Sequence, residues 1–162
     1  MHMPRRQFLH ATAATISTFR TLAVLGAESP AKRYRTALIG CGWWGNNILG
    51  EALAAGASKI TALCDVDRRP LAATAERVRK ECGDEPKTYT DFRDLLAKEK
   101  PEIVVVATPD HWHALPAIAA VAAGAHVYVE KPVGHTIGEG AAMVRAARAA
   151  NRVVQGGTHR RV

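Results

Sequence analysis

Arg35-Thr36-Ala37-Leu38-Ile39-Gly40-Cys41-Gly42-Trp43-Trp44-Gly45 is an apolar run that breaks into three glycines at GxGxxG spacing. The run predicts a short strand, the glycines a tight loop, and Asn46 to Ala55 a helix. Lys59-Ile60-Thr61-Ala62-Leu63-Cys64 predicts a second strand, which ends on Asp65, 20 residues after Gly45. Strand, glycine loop, helix, strand and acid follow one another as in a dinucleotide-binding unit. The chemistry explains the residue types. Gly40 permits the turn off the strand. Gly42 lets the backbone approach a pyrophosphate, and Gly45 lets helix and strand pack closely. The helix N-terminus offers N–H groups and a positive dipole end to phosphates. Asp65 can bind both hydroxyls of an adenosine ribose. In another α/β domain the same glycines would make only a turn, but the flanking strands and Asp65 favour a nucleotide. Trp43 and Trp44 either pack or, from their place in the loop, touch the cofactor.

The rest of the chain repeats the alternation. Arg69 to Glu81 predicts a helix with Pro70 in its first turn, closed by Gly83. Lys87-Thr88-Tyr89 predicts a short strand. Thr90 to Lys98 predicts a helix capped by Thr90. Glu102 to Thr108 is a β-branched run without alternation, the mark of a strand covered on both faces. His113 to Ala123 predicts a helix, His126 to Glu130 a strand, and Thr136-Ile137-Gly138-Glu139 a capping box opening a helix to Ala150. Arg152 to Gln155 predicts a last strand, ended by Gly156-Gly157. The fold class expected is α/β, a doubly wound parallel sheet, preceded by a signal-like leader.

The 162 residues suit one domain over 33–162 with a leader over 1–31. The formal charge of +7 does not argue for nucleic acid, because the basic residues are scattered among acids and only three Phe and three Tyr are available for stacking. Cys41, Cys64 and Cys82 have no metal or disulfide spacing, and the first two suit small buried positions. The leader holds Arg5-Arg6-Gln7-Phe8-Leu9 and then a stretch poor in charge, broken by Arg20. It resembles a twin-arginine (Tat) export signal, which implies a periplasmic or extracytoplasmic protein; an ordinary basic N-terminus on a cytoplasmic protein is the alternative. The stretch is too weakly apolar for a stable membrane span.

Ligands of such sheets lie at the carboxyl ends of the strands. Four segments emerge there: the glycine loop, Asp65-Val66-Asp67-Arg68, Thr108-Pro109-Asp110-His111-Trp112-His113, and Glu130-Lys131-Pro132. Asp110, His111 and His113 are accompanied by no recognisable metal-ligand set. His113 either enters the following helix or serves as a ligand.

Together these motifs resemble the Gfo/Idh/MocA oxidoreductases. The matching residues are Gly40 to Gly45, Asp65, Ala107-Thr108-Pro109 with His113, Glu130-Lys131-Pro132, and the ending Val153 to Arg161. The resemblance implies a Rossmann fold that binds NAD, with NADP left open by Arg68 and Arg69. Asp65 favours NAD, since a carboxylate repels a 2′-phosphate. It implies cofactor contacts from Gly40, Gly42, Trp43, Trp44, Gly45, Asp65, Thr108, Pro109, His113, Glu130 and Lys131. Lys131 is the catalytic candidate, orienting or polarising the reacting hydroxyl of a sugar, cyclitol or related compound. It implies a second, substrate-binding domain, absent from these residues, so the chain alone is expected to be catalytically incomplete. The alternative is a stand-alone NAD-binding module. A homo-oligomer is left open.

Overall fold

A computed structural model of the chain describes residues 32–158. The leader expected over 1–31 and the closing His159-Arg160-Arg161 lie outside the described residues. Strand β1 (Tyr34–Ile39) leads through the glycine loop into α1 (Trp43–Ala54). Then come β2 (Ser58–Cys64), α2 (Arg68–Cys82), β3 (Lys87–Tyr89) and α3 (Phe92–Glu99). The second half holds β4 (Ile103–Val106), a 3-10 turn at Asp110–Trp112, α4 (Ala114–Ala122), β5 (His126–Glu130), α5 (Ile137–Ala150) and β6 (Val154–Gly157).

All six strands pair in parallel, in the order β3-β2-β1-β4-β5-β6. The chain steps outward from β1 to β3 and then returns to lay β4 on the other side of β1. The strand order therefore reverses between β1 and β4, and at their carboxyl ends a crevice opens. Two apolar layers hold the sheet. Leu38, Ile60, Leu63 and Val105 pack under α1 and α2 with Leu49 and Val78. Ala37, Val104, Val106, Val127 and Val129 pack under α3, α4 and α5 with Leu95, Ala117 and Met143. Successive side chains of a strand point to opposite faces, so covering both faces requires the unbroken Val104-Val105-Val106 run.

The capping box of α5 is present, with Thr136 accepting from the Glu139 N–H and Glu139 accepting from the Thr136 N–H. Several boundaries differ from the sequence reading. Helix α1 begins at Trp43 rather than Asn46, so the loop's tryptophans belong to its first turn. Asp91, not Thr90, caps α3, because its carboxylate accepts the Arg93 N–H at 2.8 Å. The α4 helix is preceded by the 3-10 turn, which leaves His113 as its N-cap. Gly156 and Gly157 lie inside β6 rather than after it.

The edge near β3 is tied by a buried carboxylate. Asp84 accepts the Ile60 N–H at 2.8 Å and Arg33 Nη2 at 2.7 Å. Burial pushes its pKa up, but the Ile60 and Arg33 donors outweigh burial and hold it below the usual carboxylate value. A lowered folded-state pKa gives a contribution that is complete above the ordinary aspartate range and is lost as pH falls through the folded value. Asp84→Ala should cost about 1–3 kcal/mol at pH 7, since it leaves a buried N–H unpaired. In urea titrations, the variant should also lose less stability on acidification than the parent.

Candidate dinucleotide site

The three loop glycines have three distinct surroundings. Gly40 has φ of +97°, and a Cβ there would lie 2.6 Å from the Ala107 carbonyl carbon and oxygen. Only glycine suits both the left-handed backbone and the close approach of β4. A Cβ on Gly45 would run into the Gly40 carbonyl oxygen, so the first turn of α1 rests on the end of β1. A Cβ on Gly42 would meet nothing within 4 Å. Gly42 therefore borders open space, where a ligand backbone can approach it.

Helix α1 opens onto that space. Its N-cap is Gly42, with no side-chain cap and no acid in the first turn. The N–H groups of that turn and the positive end of the dipole thus face the crevice edge, the arrangement that holds a pyrophosphate. Asn46 steadies the loop by donating to the Cys41 carbonyl at 2.8 Å and to Thr74 Oγ1 at 2.9 Å. The Cys41 thiol is fully buried, and burial, aided by the charge of Asp65, pushes its pKa to about 12. It is packing, as its loop position suggested.

Asp65 joins the exits of β1 and β2. Its Oδ2 accepts the Cys41 N–H at 2.7 Å and its Oδ1 accepts the Asp67 N–H at 2.9 Å. These bonds aim a carboxylate into a cleft of about 430 Å³, whose wall also includes Gly40, Phe92, Thr108, Pro109 and Trp112. Phe92 and Trp112 give that cleft aromatic surface for a base. Arg69 turns away to Asp67, with Nη2 3.1 Å from Oδ2, and so is already occupied by a carboxylate. The sequence reading missed Asp91, Phe92 and Arg93, which also line the cleft. Their signal was the shortness of β3, which puts the start of α3 at the carboxyl edge.

The tryptophans divide. Trp43 is 78% exposed on the first turn of α1, whereas Trp44 packs against the layer under α1 and α2. Their rings meet at 5.3 Å between centroids. His113 is buried, and both ring nitrogens face carbonyl oxygens: Nδ1 is 2.6 Å from Pro132 O and Nε2 is 2.8 Å from Thr108 O. No ring nitrogen remains for a cofactor, so His113 acts on the site through those two loops. Glu130 is also buried. It accepts the Tyr128 hydroxyl at 2.9 Å and the Lys131 N–H at 3.2 Å. Lys131, one residue on, is exposed at the exit of β5.

Tyr128 was not singled out from sequence. Burial, then its bond to Glu130, pushes its pKa to about 12, so it donates throughout the physiological range. Gly157, opposite Glu130 in the sheet, makes room for the pair. A Cβ there would lie 2.5 Å from the Tyr128 hydroxyl and 2.6 Å from Glu130 Oε1. Asp110, His111 and His135 gather nearby, with Asp110 3.5 Å from His111 Nδ1 and 3.9 Å from His135 Nδ1. Among the described residues no cluster of His, Cys, Asp and Glu is arranged to hold a metal, and no helix is long and apolar enough to cross a membrane.

Comparison with known proteins agrees with this fold. The model of an oxidoreductase family with an NAD-binding Rossmann fold (GFO_IDH_MocA) matches residues 34–158. A protein named glycosyl hydrolase family 109 protein 2, from Shewanella sp. (strain ANA-3), is 34% identical over 122 residues, 72% of this chain and 27% of that protein. The WlbA dehydrogenase from Bordetella pertussis, solved in complex with NADH and UDP-GlcNAcA, is 27% identical with a TM-score of 0.68, over 78% of this chain and 36% of that one. The myo-inositol 2-dehydrogenase from Lactobacillus plantarum is 29% identical with a TM-score of 0.67, over 78% of this chain and 36% of that one. The chain thus spans about a quarter to a third of the length of these relatives.

The glycine surroundings separate fold from binding. Gly42→Ala should leave the melting temperature unchanged but weaken NADH about tenfold or more, since its methyl enters the ligand's space, a loss near 1.4 kcal/mol. Gly45→Ala should instead lower the melting temperature. Thermal melts and NADH fluorescence titration of both variants check this.

Proposed function

This chain belongs to the Gfo/Idh/MocA oxidoreductase family, of which it carries the NAD-binding Rossmann domain, and we propose that it presents bound NAD and Lys131 together to a sugar, cyclitol or related hydroxyl compound. The observation that carries this is the meeting, at one edge of the sheet, of an uncapped helix N-terminus, Asp65 and the Glu130-Lys131-Pro132 turn. The first-turn N–H groups of α1 hold the pyrophosphate, with Gly42 giving it room. Asp65, oriented by the Cys41 and Asp67 amides, binds the adenosine ribose and favours NAD over NADP. The aromatic wall of Phe92 and Trp112 takes the adenine.

When bound, NAD supplies the hydride acceptor or donor. Lys131 stands beside the reacting hydroxyl, orients it, and stabilises negative charge as its proton leaves. General acid–base help of this kind contributes about 10²–10⁴ in rate. The opposite wall of the substrate site is assigned to polypeptide outside residues 34–158, in keeping with the greater length of the relatives. A stand-alone NAD-binding module is the second reading, supported by the completeness of the cofactor cradle within the described residues. The hydrolase name of the Shewanella relative supports glycoside substrates, with net cleavage as a variant outcome.

Direct titration tests the cofactor reading. NADH should bind more tightly than NADPH, and Asp65→Ala should narrow the difference; equal affinities in the parent would count against Asp65. In the protein supplied with its substrate wall, Lys131→Ala should abolish most turnover while leaving NADH affinity in place. Accumulating NADH marks dehydrogenation, whereas product without NADH marks cleavage.

We further propose export through the Tat route, supported by Arg5-Arg6 and the weakly charged stretch after them. A reporter fused to residues 1–35 should leave the cytoplasm, and Arg5→Lys with Arg6→Lys should retain it. Retention of the unaltered fusion would end the proposal.

A further inference from the structure

The turn that carries Lys131 is gripped on both flanks, by groups from opposite sides of the sheet. On one flank stands Glu130, whose Oε1 accepts the Tyr128 hydroxyl at 2.9 Å and whose Oε2 accepts the Lys131 N–H at 3.2 Å. Tyr128 packs with the layer under α1 and α2. On the other flank stands Pro132, whose carbonyl lies 2.6 Å from His113 Nδ1. His113 is the N-cap of α4, which packs on the opposite face. Its second nitrogen lies 2.8 Å from the carbonyl of Thr108, at the exit of β4. Lys131 lies between the two grips and is exposed, whereas Glu130 and His113 are buried and Tyr128 is half-buried. Buried polar groups with every partner satisfied rigidify the backbone they join.

We propose that His113 and Tyr128 are positioning residues, which together fix Lys131 against the cofactor from the two faces of the sheet; this rests on the reading of Lys131 as the residue beside the nicotinamide. Two features support it beyond the distances. Both carbonyls only accept, so the His113 ring donates to one of them through its N–H and packs its other edge against the second. The ring then works as a brace between the exits of β4 and β5, and not as a ligand. On the other flank, β6 has glycine opposite Glu130, where any Cβ would fall 2.5 Å from the Tyr128 hydroxyl. The sheet gives up a side chain at that point to keep the Tyr128–Glu130 bond.

The test reads Lys131 itself. Its side-chain Cε–Hε resonance is assigned by its loss in Lys131→Arg, and its shift on adding NAD is recorded in the parent, His113→Phe and Tyr128→Phe. Melting temperature and NAD affinity are measured alongside, because neither should be lost when only the grip on Lys131 is relaxed. The expected result is a clear NAD-induced shift in the parent, lost in both variants while NAD still binds through the glycine loop. A silent Lys131 in the parent would overturn the catalytic reading, and the clamp's purpose with it. A shift kept in either variant would overturn the two-sided clamp alone. Should His113→Phe fail to fold, Tyr128→Phe, which removes one hydroxyl, still decides its flank. Exchange of the His113 ring N–H in the parent decides the other: a slowly exchanging ring N–H supports the brace, and rapid exchange with solvent refutes it.

Discussion

The carboxyl edge of the sheet depends on how closely α1 approaches the end of β1. Gly45 rests against the Gly40 carbonyl with no room for a methyl, and Gly40 in turn lies against the Ala107-Thr108 backbone just past β4. That double contact sets the angle at which α1 leaves the sheet. It also sets where the N–H groups of its first turn point. The Asp65 carboxylate then holds the Cys41 amide from the side of β2, so the loop is defined by three adjacent strands. A larger residue at Gly40 or Gly45 would force the loop away from β4, and the donors would no longer converge.

The second strand exit solves a different problem by different means. The glycine loop holds its shape through missing side chains, while the Glu130-Lys131-Pro132 turn holds its shape through present ones. The Tyr128 side chain packs on one face of the sheet and His113 caps a helix on the other, and neither needs the cofactor in order to form its bonds. Preorganisation of this kind lowers the cost of assembling a reacting geometry after binding. The charge of Lys131 is thereby carried on a turn whose flanks are already satisfied.

The glycine loop, Asp65 and the strand–helix alternation were legible in the sequence because each is a local pattern. GxGxxG after an apolar run names a turn chemistry, and Val104-Val105-Val106 names a strand covered twice. The brace by His113 was not legible, since its partners are backbone carbonyls and any residue could supply them. Tyr128 and Glu130 share a face of β5 by alternation, but Gly157 meets them only through the register of β5 and β6, which the sequence alone does not reveal. The same blindness explains the misplaced end of β6: two glycines read as a terminator, whereas the tyrosine and glutamate beside them require glycine within the strand. Thr90 and Asp91 are both good caps, and only the geometry of the β3 exit chooses between them.

The helix termini show how the fold reserves one end for a ligand. Asp67 caps α2, Asp91 caps α3, and Thr136 with Glu139 caps α5, each satisfying first-turn N–H groups from within the chain. The start of α4 is bound to the preceding 3-10 turn through the His113 N–H and the Asp110 carbonyl. Helix α1 begins on glycine, with neither a side-chain cap nor a first-turn acid. A side-chain cap in place of Gly42 would add only about a few tenths of a kcal/mol by itself. It would also enter the open space beside Gly42, so the start of α1 is left without a side-chain cap at little cost in stability and with room for a ligand.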